Sequence, residues 1–437
     1  MRIKILAVLI LFLSTGLLRS QSFNLRFSTY FYSWQRIDST ADNSTEKTTH
    51  LRGYQNLLFD ASKDKWGFNT LMQTEEDVIK KIDGGFNYRF YNLYIRGTNL
   101  FNHLDAKIGR QYIFSGVGKG AVDGLYLKFK TGKNREYQVA GYGGGLTPLD
   151  YSFKYYPSLK YNFMFGGQFS YFGVRDLEVG LSYTNKHSKP DPYYTFRVDS
   201  LLNTKQVWID LDPLSQQYAG LDFNYTYKLK HNFFGKVYYD INLKRLYRGE
   251  VNARVMVIDN LNVNASYIYH QPQISYNTIF WVFESKPNQE IEGGADYTLK
   301  NGINLYATVS DVLYNNAADT LKNSSLKIVV GFNNPSYGLS YVKYTGYTGE
   351  SDGLTGYFYR QILKDKLSGS VSISYSSYRL SEFSTDKVNS LAGILGITYR
   401  PFPQLSVDAQ GQFIKNPVYQ YDTRFLVGIN YWLFKKF

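Results

Sequence analysis

The chain has 437 residues, 43% of them apolar, and its 49 Lys and Arg outnumber 36 Asp and Glu to give a formal charge of +13. It contains no cysteine, which excludes a disulfide framework, a thiolate metal centre and a lipid-anchored cysteine. Tyr and Phe number 42 and 30, yet no apolar run after residue 20 is long enough for a membrane helix, which excludes a helical membrane protein.

Residues 1–20 read as a signal peptide. Arg2 and Lys4 form its basic start, and residues 5–13 are an apolar stretch too short to span a bilayer. Cleavage is expected near Ser20 and Gln21, with Leu18 a poor fit three residues before the cut. Residues 21–437 then form one domain.

From residue 22 the chain runs in segments of roughly ten residues with apolar side chains at alternate positions, and helical periodicity is almost absent. Phe23, Leu25, Phe27 and Phe31 oppose Asn24, Arg26 and Ser28. Leu177, Val179, Leu181 and Tyr183 oppose Glu178, Ser182 and Thr184. Leu261, Val263, Ala265, Tyr267 and Tyr269 oppose Asn262, Asn264, Ser266 and His270. The pattern sharpens where Leu367, Gly369, Val371, Ile373 and Tyr375 alternate with Ser368, Ser370, Ser372 and Ser374. Alternation alone fits either a face packed on a second sheet or a face turned to lipid.

Connection lengths separate the two. Short ones fall near 61–65, 98–103, 131–135, 173–176, 228–232, 259–260, 300–302, 333–336, 364–366 and 400–403. Longer ones lie between them at 35–48, 111–120, 143–159, 185–216 and 271–289. Such alternation predicts an all-β fold: a single transmembrane antiparallel up-and-down β-barrel of about 22 strands, within roughly 16 to 24, with both termini on the tight-turn rim. No plug domain is expected, because strands begin within a few residues of the signal peptide. Tandem soluble sandwiches would need linkers, and no Pro-, Ser- or Gly-rich linker interrupts the series.

The segment 104–130 reads LDAKIGRQYIFSGVGKGAVDGLYLKFK. Its Gly109-Arg110-Gln111 strand end and Asp123-Gly124 strand start, around a glycine-bearing loop, resemble the alginate-export type of outer-membrane porin. The resemblance implies a loop entering a basic lumen, with Arg110, Gln111 and Asp123 turned toward it and arginine contacting anionic solutes. This chain reads more strands than that family and lacks its long periplasmic gate loop, so the architecture carries over and the alginate substrate does not. Independently of the family, Arg110 and Asp123 flank one loop and are placed either to pair across the lumen or to form a plain rim salt bridge beneath an extracellular loop. Gly116, Gly118 and Gly120 allow that loop to fold inward and narrow a pore.

Arg26, Arg52, Arg89, Arg96, Lys236 and Arg254 sit on polar faces. A charge facing hydrocarbon at mid-depth costs roughly 2 to 4 kcal/mol, so these side chains are expected in the lumen. There they either favour anions or are cancelled by acidic neighbours such as Glu178, Asp222, Asp240 and Glu250. On the last strand Phe425, Val427, Ile429, Tyr431, Leu433 and Phe437 share a face, resembling the C-terminal signal read by the outer-membrane assembly machinery. Lys435 departs from it with a charge that can snorkel to the headgroups.

Catalytic signals are weak. His50, His103, His187, His231 and His270 have no metal-ligand spacing, Glu75 to Asp77 read as a solvated charge run in a loop, and Gly141 to Gly145 as the start of a loop. Gly118-Lys119 lacks the preceding glycine of a phosphate loop. No cofactor, metal or nucleic acid is expected. The sequence implies a passive outer-membrane channel for small polar solutes, anions among them, bathed in outer-membrane lipid and lipopolysaccharide. Two other classes stay open: an adhesion or partner-binding barrel using the 185–216 loop, and a barrel enzyme with a rim site.

Overall fold

The computed structural model describes residues 22–38, 49–79, 85–198, 203–272, 287–314, 324–347, 349–379 and 386–436. The expected signal peptide and Phe437 lie outside them. Among the described residues twenty-four strands follow one another: β1 (Ser22–Asp38), β2 (Thr49–Lys63), β3 (Trp66–Ile79), β4 (Asn87–Leu100), β5 (Leu104–Ser115), β6 (Gly118–Thr131), β7 (Tyr137–Leu146) and β8 (Phe163–Tyr171). Next come β9 (Leu177–Ser188), β10 (Tyr193–Val198), β11 (Thr204–Ile209), β12 (Leu214–Tyr227), β13 (His231–Asp240), β14 (Arg245–Ile258), β15 (Leu261–His270) and β16 (Asn288–Thr298). The last are β17 (Asn304–Tyr314), β18 (Ser324–Asn333), β19 (Tyr337–Gly346), β20 (Glu350–Leu363), β21 (Leu367–Arg379), β22 (Val388–Phe402), β23 (Leu405–Lys415) and β24 (Tyr419–Lys436).

All but β10 and β11 form one 22-stranded antiparallel sheet. It closes on itself where β1 pairs β24, from Ser22 opposite Lys436 to Asp38 opposite Tyr419. Closure gives every strand two hydrogen-bonding neighbours, the condition for a sheet surrounded by hydrocarbon. Barrel and strand number are those the turn pattern predicts. The ten tight connections are all present, two to five residues long, on the rim that holds the first residue of β1 and the last of β24. Asp64 and Asn260 take φ of 53° and 72° there, the left-handed conformation that two-residue hairpin turns require and that Asp and Asn tolerate.

Side-chain alternation sorts the two faces. Phe27, Phe31, Ile373, Phe425, Val427 and Ile429 are exposed on the outside. On the inside, Ser28 donates to Asn430 Oδ1 at 2.7 Å, and Asn430 Nδ2 donates to Asp408 Oδ2 at 2.7 Å. The barrel is therefore apolar outside and polar within, the reverse of a water-soluble protein. Tyr431 and Leu433 lie on the outer parity of β24, opposite Phe27 and Leu25.

Four expectations need correction. Residues 111–120 are not a loop, because β5 and β6 run on to a two-residue turn at Gly116 and Val117. Gly141 to Gly145 lie inside β7, where Gly144 packs so close to β6 that a Cβ would come within 2.5 Å of the Asp123 carbonyl oxygen. Glu75 to Asp77 belong to β3 rather than a loop, and Glu75 and Asp77 are buried. The 185–216 segment carries the separate β10–β11 hairpin, with Tyr193 opposite Ile209.

Candidate permeation site

The inner wall is laced with ion pairs between neighbouring strands. Arg52 meets Asp77 at 2.6 Å, Arg89 meets Glu75 at 2.8 Å and Arg96 meets Asp60 at 2.8 Å. Arg254 meets Asp296 at 2.9 Å, while Glu250 accepts Lys236 at 2.6 Å and Arg248 at 2.9 Å. Each predicted lumen arginine in this group is thus matched to a carboxylate one or two strands away. Cancellation by acidic neighbours describes them better than a bare basic wall, although apart from Glu250 the partners differ from those suggested by sequence. Arg26 has a different environment, with its guanidinium carbon 5.3 Å from the centre of the Trp432 ring.

The wall is interrupted at β5 and β6. Pairing of β4 with β5 stops at Leu93 opposite Arg110, and pairing of β6 with β7 stops at Val122 opposite Leu146. Beyond those points the strand ladder runs only within the hairpin, up to Ser115 opposite Gly118, apart from one backbone bond from Thr147 N–H to the Ala121 carbonyl at 3.1 Å. Its tip turns into the lumen and seats on the inner faces of more distant strands. Val117 N–H donates to Ser182 Oγ of β9 at 3.1 Å, and Ser115 Oγ donates to Gln168 Oε1 of β8 at 2.8 Å. The Val117 side chain is buried with Tyr218 of β12 and Tyr238 of β13, and Tyr247 of β14 packs against them. Ile113 and Val122 form a second buried cluster with Tyr142 and Met164. Gly118 makes room for this fit, since a Cβ there would lie 1.8 Å from the Tyr142 hydroxyl and force that ring to move.

The bend has its own chemistry. Gly109 takes φ of +125°, and an added Cβ would meet the Leu93 carbonyl oxygen at 2.3 Å. Across the ladder, a Cβ on Gly124 would meet the Gly143 carbonyl oxygen at 2.2 Å. Beside them Arg110, only 2% exposed, makes a two-pronged contact with Asp123. Its Nη1 donates to the carbonyl of Tyr151 at 2.6 Å, and the Phe153 ring centre lies 4.0 Å from the guanidinium carbon. Phe90 N–H of β4 donates to the same Tyr151 carbonyl at 3.0 Å. Residues 147–153 therefore occupy the gap that the bent hairpin leaves between β4 and β7. Gln111, 3% exposed, reaches the Gly124 carbonyl at 3.3 Å.

Arg110 and Asp123 do meet, but as opposed residues of the neighbouring strands β5 and β6 rather than across the lumen. Both are held at the hinge, and Arg110 is enclosed rather than presented to solute. Val117, Ser182, Tyr218 and Tyr238 were missed, as were Lys119 and Lys186 beside the tip. The only advance signal was an apolar Val117 between two glycines, at a turn where a polar residue is usual.

At the opposite-rim end of β9 and β12, Ser215 Oγ and His187 Nε2 lie 3.2 Å apart on the outer face. The nearby carboxamide of Asn242 donates to Ser215, at 3.3 Å to its Oγ and 2.8 Å to its carbonyl. It does not orient the imidazole, so the contact lacks the third member of a hydrolytic triad.

The fold and lumen define an outer-membrane-type β-barrel narrowed by an inward hairpin. No protein-family model and no curated protein matches the chain. The translocation pore of the P pilus usher PapC superposes with a TM-score of 0.50 at 8% identity, covering 93% of this chain and 99% of the usher pore. That likeness shows a shared barrel fold. Acinetobacter baumannii OccAB3 overlays more loosely, with a TM-score of 0.41 at 9% identity over 94% of this chain and 99% of that one. Pseudomonas aeruginosa OccK2 in complex with glucuronate gives 0.41 at 10% identity over 94% and 96%.

Proposed function

We propose that the protein is a passive channel of the bacterial outer membrane for small polar solutes, anions among them. The observation that carries this reading is the β5–β6 hairpin seated inside an otherwise polar-walled closed barrel, where it narrows the lumen. Among the described residues no folded insert fills the interior. An inward hairpin is also what the local likeness of residues 104–130 to alginate-export porins suggests. A preference for anions rests on cations left over after the wall pairs are matched: Arg26 stands over Trp432, and the Lys107 ammonium lies 5.4 and 5.6 Å from the ring centres of Tyr94 and Tyr126. Tyr431 and Leu433, with Phe437, are proposed as the assembly signal, and the outer aromatics as the contact with lipid and lipopolysaccharide.

Single-channel recording in a planar bilayer tests the reading. Wild-type protein should give discrete conductance with a reversal potential displaced toward anions in a salt gradient. Val117→Asp, which places a charge among three tyrosines, should unseat the tip and raise conductance. Silence of well-folded protein defeats the channel, and cation preference defeats the anion component.

A second reading has one observation in its favour. The β10–β11 hairpin stands apart from the barrel sheet and exposes Tyr194, Phe196, Val198 and Trp208. Exposed aromatics on a projecting hairpin suit a partner-binding barrel. Conductance unaffected by removal of residues 193–209 leaves the channel reading intact.

A further inference from the structure

We infer that the alcove beside the hairpin tip is a binding station for a small carboxylate carried on a flat ring. The inference deepens the channel reading and rests on it for how the solute arrives. The alcove is a cavity of about 170 Å³ between the tip and the inner wall, bordered by Lys119, Lys186, Arg248, Tyr218, Tyr247 and Val117. No carboxylate borders it. Of the nearest acidic groups, Glu250 is paired with Lys236 and Arg248, while Asp222 accepts the Tyr238 hydroxyl at 2.9 Å with one oxygen and lies within electrostatic reach of Lys119.

Lys119 and Lys186, like Arg26 and Lys107, stand outside the ion pairs of the wall. Arg52, Arg89, Arg96 and Lys236 each meet a carboxylate at 2.6 to 2.8 Å, whereas these two lysines have no ion pair among the described residues. One comes from the hairpin and the other from the β9 wall, so they face the same space from two sides. Both also border a larger cavity of about 580 Å³ beneath residues 147–157, so they stand where the two spaces meet. An anion entering from the larger space meets two ammonium groups there, and Lys186 has no carboxylate partner among the described residues.

The rest of the lining selects the body of the ligand. The Tyr218 and Tyr247 rings are stacked at 5.1 Å with 23° between planes, and Val117 and Met164 add buried apolar surface. Flat aromatic walls favour a flat partner. A cavity of roughly 150 Å³ accommodates benzene, so this space suits one six-membered ring with a short acidic substituent.

Calorimetric titration of the full-length barrel in detergent, with benzoate and its neutral analogue benzamide as probes, tests the station. Benzoate should bind at least tenfold more tightly than benzamide, and Lys119→Gln with Lys186→Gln should weaken benzoate by tenfold or more, a difference of about 1.4 kcal/mol. Lys119→Gln alone, at an exposed position of the hairpin, should show part of the loss if the double variant assembles poorly. Equal binding of the two probes, unchanged binding in the variants, or no benzoate binding at tens of millimolar each overturns the station. Bilayer recordings on the same preparations separate the two ideas. Benzoate binding by a silent barrel sinks the channel and keeps the station, while conductance without benzoate binding does the reverse.

Discussion

Arg110 and Asp123 face each other across β5 and β6, Nε to Oδ1 at 2.8 Å and Nη2 to Oδ2 at 2.9 Å, at the level where the hairpin leaves the barrel wall. Removing one member of a buried pair strands the other without its countercharge, at a cost of about 3 to 5 kcal/mol. Arg110→Gln should therefore loosen the hinge: channel openings become larger and noisier, and residues 111–122 become sensitive to protease. Replacing both residues by leucine should restore much of the protease resistance, because an apolar pair leaves no stranded charge. If Arg110→Gln matches wild type in both assays, the pair does not hold the hairpin.

Adjacent residues of β21 test which face meets lipid. Ile373 is exposed on the outer face, and Ser372 lies on the other. Ile373→Arg should destabilise folding into lipid vesicles by roughly 2 to 4 kcal/mol, and Ser372→Arg by far less. Urea titration of folded protein in vesicles measures both, and equal effects would refute the assignment of faces.

Gly109 offers a test of the bend. With φ at +125° and the Leu93 carbonyl oxygen 2.3 Å from where a Cβ would sit, Gly109→Val is strained twice over. The variant should lose most of its folded, faster-migrating band on an unheated gel. Gly302→Ala, at a tight turn with φ of +80° and no atom within 4 Å of the added Cβ, should retain that band far better.

Acid should release the segment over the hinge. The Ser152 hydroxyl and backbone N–H hold the Asp150 carboxyl below its ordinary value, the N–H at 3.0 Å. A carboxylate so depressed stabilises the fold above its unfolded-state value of about 3.9 and loses that contribution as pH falls through the lower folded value. Wild-type conductance should consequently become noisier in acid, below about pH 4, than near neutrality, and Asp150→Asn should show the noise at both. A variant with the same pH response as wild type removes Asp150 from the latch.

The barrel was legible from sequence because its determinants are local. A strand with one face in hydrocarbon writes its period of two directly into runs such as residues 367–375, and two-residue turns such as Asp259-Asn260 mark where it reverses. The inward hairpin was legible only in part. Glycines at 116, 118 and 120 pointed to an inward fold of a loop rather than to a two-residue turn, and the surfaces that receive Val117 come from β9, β12, β13 and β14, whose positions follow from register across the sheet. The same distance in sequence hid the partners of Glu75 and Asp77, which looked like solvated charges until Arg89 and Arg52 were brought beside them. Pro190 and Pro192 made residues 185–216 look irregular, yet the alternating segment after them pairs with its own continuation as β10 and β11.

The seam between β1 and β24 has a consequence for the order of events in assembly. Its two edges come from opposite ends of the described chain, so until the final strand has been made and delivered, β1 and β23 each offer an open row of amides and carbonyls to whatever lies nearby. A ribosome stalled before residue 419 would release a sheet that cannot become a ring, and its aggregation at those two borders is the price of a wall with no permanent margin.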